Sequence, residues 1–183
     1  MARLPYLNKE DLAPQDQEIL TRNINLYRFM AHSPDAQRRQ SALGRYIRFE
    51  STLDPRLREL AIVQIGYMTR TVYEYTHHVK IAQEFGVTPD EIRAVAAETE
   101  GRTTSLDPLA RAVLRAAREM VTKADLSDEN FAPLKAALSN EHLVDLLMTI
   151  SFYCGVIRFL AAARIDNEPE YDKYLKEFPF PKT

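Results

Sequence analysis

Cysteine is nearly missing from this sequence: among 183 residues there is one, Cys154. A lone cysteine excludes a disulfide within the chain and fits a reducing compartment. Surplus charge is missing too. The 24 Lys and Arg face 26 Asp and Glu, a formal net charge of −2, so there is no electrostatic case for nucleic acid or an anionic membrane as partner. There is no Gly-rich phosphate loop, dinucleotide fingerprint or nucleophile elbow, which turns the reading away from P-loop chemistry and Rossmann hydride transfer. The most apolar stretch, Leu143 to Ala163, contains Asp145 and Arg158. A membrane span needs ~20 mostly apolar residues with few or no charges, so a buried core helix is expected here. The opening Met1-Ala2-Arg3-Leu4-Pro5-Tyr6 has no apolar run after its basic residue, so no secretory signal is expected and the cytoplasm is the expected location.

Apolar residues make up 45% and charged residues 27% of the chain, the balance of a globular protein. The length predicts a single domain over 1–183. It is read as an N-terminal helical extension (1–52), a core (53–165) and a C-terminal arm (166–183).

With 5 glycines and 10 prolines, the punctuation stands out. Ser33-Pro34, Asp54-Pro55, Thr88-Pro89 and Asp107-Pro108 each place a capping residue before a proline at the first helical position. Proline is tolerated there, because its missing N–H would have no intrahelical partner. Helices are predicted over 14–31, 34–51, 55–69, 72–85, 89–98, 108–123, 128–138 and 141–164. Gly86 is expected to end the fourth, and a Thr88/Glu91 capping box to open the fifth. No alternating strand pattern of useful length appears, so the fold class is all-α. The 55–69 helix is apolar almost all round and belongs at the centre of the fold. The tail, Glu168 to Thr183, reads as an extended arm lying on a surface, for which a partner subunit's is a candidate.

Chemistry concentrates between Leu53 and Ile92. Glu59 lies inside the apolar 55–69 helix, where a carboxylate must find a partner or take up a proton. Glu74 and His78, four apart, share one face of the next helix. A short turn at 69–71 would bring Glu59 within reach of that face. A Glu/Glu/His cluster in apolar surroundings suits acid–base catalysis near neutral pH. Plainer readings fit the same residues. Glu59 pairs with Arg56, Arg58 or Arg70; Glu74 caps its own helix from Thr71; His78 is a core histidine on a carbonyl. Glu74 and His78 are two ligands and do not make a metal site, so no metal or other cofactor is expected. Cys154, mid-helix among apolar residues, reads as a structural thiol. Tyr67, Tyr73, Tyr75 and Tyr153 could line a pocket.

Three segments resemble the carboxymuconolactone decarboxylase family, which includes the AhpD-like alkylhydroperoxidases: Leu53-Asp54-Pro55-Arg56-Leu57-Arg58-Glu59-Leu60-Ala61-Ile62, then Tyr73-Glu74-Tyr75-Thr76-His77-His78, then Gly86-Val87-Thr88-Pro89-Asp90-Glu91-Ile92. The strong match spans roughly forty residues at family spacing. The resemblance implies an AhpD-like all-helical fold and a homo-oligomer, trimer or hexamer. It matches Glu59 and His78 to the proton relay of the peroxidase branch. It also puts Thr71 and Glu74 at the two positions of that branch's Cys-x-x-Cys pair, so the relay is retained and the redox pair is not.

The reading that follows is a non-redox enzyme of decarboxylase or isomerase type. Its substrate would be a small acidic or lactone-like metabolite. His78 would be general acid or base, Glu59 would orient or relay to it, and Glu74 would be the second carboxylate. Arg58, Arg70 and Tyr73 would bind the substrate. The rivals are AhpD-like peroxidase activity and a non-catalytic binding or assembly protein that keeps the fold.

Overall fold

A computed structural model describes residues 1–181; Lys182 and Thr183, the last of the expected arm, lie outside the described residues. The fold is helical, with no strand among the described residues. Its centre is α3 (Pro55–Thr69), in which every residue from Leu57 to Tyr67 is buried. The Asp54 side chain accepts from Arg56 N and Pro55 occupies the first turn, so the helix starts where the sequence said it would. It ends at Arg70, whose φ of 53° turns the chain in the left-handed conformation.

Around α3 pack α4 (Val72–Glu84), α5 (Pro89–Thr99), α6 (Pro108–Lys123) and α8 (Asn140–Ala163), with α7 (Asp128–Ala137) against α6 and α8. The capping box of Thr88 and Glu91 is present in both directions. α8 is long and apolar enough to cross a membrane, yet half of its most apolar stretch is buried inside the protein. Its Asp145 accepts from Tyr46 and Ser51, while Val144, Met148 and Phe159 remain exposed.

Gly66 decides how closely α3 and α4 approach. A β-carbon there would lie 2.9 Å from both Tyr75 Cα and Tyr75 N, and that backbone cannot give way as a side-chain tip can. Gly66→Ala is therefore expected to lower the unfolding free energy by about 1–3 kcal/mol, the usual cost of overpacking a closed core. Urea denaturation measures it.

Three parts differ from the expected pattern. The helix expected over 14–31 is broken into a 3₁₀ segment, Pro14–Leu20, and a short α1, Asn25–Met30. Thr21 and Asn23 favour turns over helix interiors, and Ile24 offers α1 no capping side chain. The cap comes instead from Glu168, which accepts from Asn25 N at 2.6 Å. The 34–51 helix is regular only as α2 (Pro34–Arg45), then widens into a π turn, Tyr46–Glu50.

The C-terminal arm is a correction. It forms a 3₁₀ turn, Pro169–Tyr171, and α9, Asp172–Glu177. Its Tyr174 and Phe178 are buried in the chain's own core, and Phe180 packs on Tyr67 and Tyr75. Apolar side chains every few residues drove it onto the nearest uncovered surface, α4.

Candidate active site

The turn at Arg70 and Thr71 folds α4 back along α3, and three charged side chains meet in the core. His78 Nδ1 donates to Glu59 Oε2 at 2.8 Å. On the other side of the ring, Nε2 lies 3.1 Å from Glu74 Oε1. Glu59, wholly buried, also accepts from Arg58 Nε at 2.9 Å. The Arg58 guanidinium sits over the Phe85 ring, 4.5 Å from its centre, and its Nη1 reaches the carbonyls of Ile47 and Arg48 in the π turn. The order is thus Arg58, Glu59, His78, Glu74, with alternating charge.

Burial alone would strip the proton from His78, but Glu74 and Glu59 outweigh it and raise the imidazole pKa to about 9. Burial alone would raise the Glu59 carboxyl; the charges of His78 and Arg58 outweigh that and hold it below its ordinary value. The His78 contribution to stability is fully present below its unfolded pKa of 6.5 and is lost as pH rises through about 9. The Glu59 contribution is present above 4.5 and is lost as pH falls through its lowered value. Unfolding free energy is therefore expected to fall between pH 7 and pH 10, by on the order of 3 kcal/mol from His78 alone. His78→Gln should flatten this alkaline decline, measured by urea titration at a series of pH values.

The chain of charges ends at a cavity. A hollow of about 650 Å³ lies between α2, the π turn, α4 and α8, and both His78 and Glu74 line it. That volume is within the range of small-molecule sites. Its walls are mainly apolar and aromatic, among them Tyr27, Phe49, Ile81, Phe152, Tyr153 and Val156. Glu59 does not line it. The chain of contacts therefore runs from a sealed carboxylate, through the His78 ring, to a carboxylate that lines the hollow.

This disposition of Glu59 and His78 on paired helices is accompanied by a sequence match over 34–119 to the carboxymuconolactone decarboxylase family. No curated protein matches the chain. Among solved structures, an AhpD-core, peroxidase-related protein of Ralstonia eutropha JMP134 shares 21% identity, with 99% of this chain and 98% of that chain covered at a TM-score of 0.79. A variant of the debrominase Bmp8, in complex with 2,3,4-tribromopyrrole, shares 20% identity over 97% of this chain and 100% of that one, also at 0.79. A peroxidase-related protein of Silicibacter sp. TM1040 shares 18% over 85% and 82%, at 0.72. These likenesses show that the fold is AhpD-like.

At the two positions matched to the cysteine pair of the peroxidase branch, this chain has Thr71, bonded to Thr69 through its hydroxyl at 2.9 Å, and Glu74. Thr71 makes no side-chain cap to α4, so the capping reading of Glu74 is set aside. Cys154 is buried, free, and not among the residues lining the cavity; burial pushes its thiol up.

Of the three residues expected to hold substrate, Tyr73 lines the cavity, but its hydroxyl accepts from Leu26 N at 3.3 Å and lies near Glu168. Arg58 lies behind Glu59, its Nε on that carboxylate and its Nη1 on the π-turn carbonyls. Arg70 lies outside the cavity, at the end of α3, against the Pro181 carbonyl and the Phe180 ring. Neither arginine lines the hollow.

Two features escaped the sequence reading. Gln37, Ser41 and Arg48 run down the α2 face of the cavity; their spacing of four and seven was a visible signal. The other is His77. It is stacked between Tyr73 and Tyr171 at centroid distances of 4.0 and 3.6 Å, with Nδ1 on the Tyr73 carbonyl and Nε2 3.1 Å from Glu168. Nothing in the local pattern announces a partner ninety residues away. Among the described residues no group of three His, Cys, Asp or Glu has the geometry to hold a metal ion.

Proposed function

We propose that this protein is an acid–base enzyme of decarboxylase or isomerase type, working without thiol redox chemistry on a small acidic or lactone-like metabolite. The observation that carries the reading is the buried Glu59–His78–Glu74 chain opening onto a cavity of about 650 Å³. Nδ1 of His78 is bonded to Glu59, and its Nε2 lies 3.1 Å from Glu74 Oε1, an oxygen with no hydrogen-bond partner among the described residues. Glu74 is the group that meets the substrate and takes or returns a proton. His78 hands its Nε2 proton to Glu74 when one is needed. Glu59, fixed by Arg58, keeps the imidazolium charged. This moves the substrate contact from His78, where the sequence reading put it, to Glu74.

An AhpD-like peroxidase would need a thiol at the cavity, and the matched positions carry Thr71 and Glu74. Of the features expected for a non-catalytic binding or assembly protein, Glu59 is locked to Arg58, whereas the hollow is open and Glu74 does not cap its helix. We further propose a cytoplasmic homo-oligomer, trimer or hexamer, supported by the exposed apolar side chains Val144, Met148 and Phe159 on α8.

The test is a proton-NMR screen in D₂O against small keto acids, hydroxy acids and lactones. Incorporation of solvent deuterium or release of CO₂ is expected, unaffected by Cys154→Ser. Hydroperoxide consumption that depends on Cys154, with no exchange in any compound, would reverse the reading.

A further inference from the structure

Once the ion pairs around the cavity are matched, two of its arginines are left over among the described residues: Arg22, which stacks on Tyr27, and Arg48, whose charge acts on Tyr153. Glu59 and Glu74 are balanced by Arg58 and His78. Arg45 pairs with Glu50, and Arg38 pairs with Asp16, Glu18 and Asp35. Arg48 has no carboxylate within ion-pair distance among the described residues. Its Nε is buried without a hydrogen-bond partner, and its guanidinium lies 4.9 Å over the Phe49 ring. Its backbone is fixed as well, because Arg58 bonds its carbonyl at 3.1 Å.

Tyr153 lines the same hollow. The ring is held edge-on to His78 at 4.8 Å and to Phe152 at 5.2 Å. The hydroxyl makes no hydrogen bond among the described residues. Burial, with Glu74 and Glu59 close by, pushes its pKa well up, so it stays a neutral O–H donor. Farther along α2, Gln37 Oε1 and Ser41 Oγ are also buried and unpartnered. Buried polar groups are ordinarily satisfied. Several orphans lining one apolar hollow describe the polar edge of an absent ligand.

We infer that the cavity is an oxyanion site, whose ligand is a planar, largely apolar molecule carrying a phenol, an enol or an enolisable carbonyl. Its oxygen is held by the Tyr153 hydroxyl and the Arg48 guanidinium while Glu74 handles the proton. The inference rests on the acid–base reading and names its substrate class. The step balances without an oxidant. The C–H bond next to the carbonyl breaks, the proton goes to Glu74, and the electron pair becomes the C=C bond as the carbonyl oxygen takes the negative charge. Return of a proton to a different carbon completes an isomerisation. Preorganised donors aimed at a developing oxyanion are the most effective stabilisers such a step can have. The flat apolar walls, Phe152 and Ile81 among them, suit a conjugated body.

The probe is 4-nitrophenol, titrated into the protein at a pH below its solution pKa and followed by the visible absorbance of the phenolate. Wild type is expected to bind it ionised. Tyr153→Phe, which removes one oxygen atom, and Arg48→Gln, at a half-buried position, are each expected to weaken binding about tenfold or more, with thermal melts confirming that each is folded. Glu74→Gln is expected to bind as tightly as wild type or more tightly, since a neighbouring negative charge is gone. Binding of the neutral phenol, no binding to wild type, or a Tyr153→Phe affinity equal to wild type overturns the inference. Tyr153-dependent phenolate binding without deuterium exchange in any compound would uphold the oxyanion site and sink the enzyme reading. The opposite pair of results would do the reverse.

Discussion

Arg58→Met is expected to lower the unfolding free energy by about 3–5 kcal/mol, the range for stripping one partner from a buried ion pair. Arg58 is 1% exposed and Glu59 0%. Methionine keeps most of the volume over Phe85 but supplies no charge and no donors. Glu59 would then depend on His78 alone, and the π-turn carbonyls of Ile47 and Arg48 would lose a partner. The double variant Arg58→Met/Glu59→Gln should recover part of the loss, because the stranded carboxylate is gone. Urea denaturation of the four proteins of the cycle measures the coupling. A loss below about 1 kcal/mol in the single variant would mean that water reaches the pair, as it does at the surface.

The second large effect is on rate. For whichever compound the deuterium screen finds, Glu74→Gln is expected to cut kcat/KM by about 10²–10⁴-fold, the contribution of a positioned general acid or base. Stability should also fall, because Glu74 is one of the two charges that raise the His78 pKa, but by less than in a Glu59 variant, because Arg58 keeps its partner. Glu59→Gln makes an informative contrast. It should reduce the rate and also destabilise the fold, since Arg58 and His78 both lose their shared anion. If Glu74→Gln kept full activity, the proton would have to be moved by another group in the hollow, and the roles assigned here would fail.

How much of this could be read beforehand depended on distance along the chain. α2, α3, α5 and α6 begin where their cap–proline pairs said, because those signals are local. Glu59, Glu74 and His78 were legible as a cluster because one short turn joins their two helices. The choice among several arginine partners for Glu59 was not legible: Arg56 goes instead to Glu91 and Asp107. That depends on which face of α3 meets α5, which spacing does not fix. The cavity's other wall was out of reach for a similar reason. Gln37, Ser41 and Arg48 form a readable stripe along α2 and its π turn, but nothing in the sequence says that α2 lies across from α4. The same holds for the segment Asp166–Glu168, which binds Met1, Ala2, Tyr6, Asn25, Thr76 and His77, all distant in sequence. A tail rich in proline and aromatics looks like an arm until its anchoring partners are known.

The account rests on His78 being an imidazolium held between two carboxylates. Nitrogen-15 NMR of histidine-labelled protein tests this without any substrate, with His78→Gln assigning the signal. The expected spectrum shows both His78 ring nitrogens protonated at pH 7, the charge persisting until about pH 9. A neutral His78 ring at pH 7, with one unprotonated nitrogen facing Glu74 or Glu59, would contradict the relay and the function built on it.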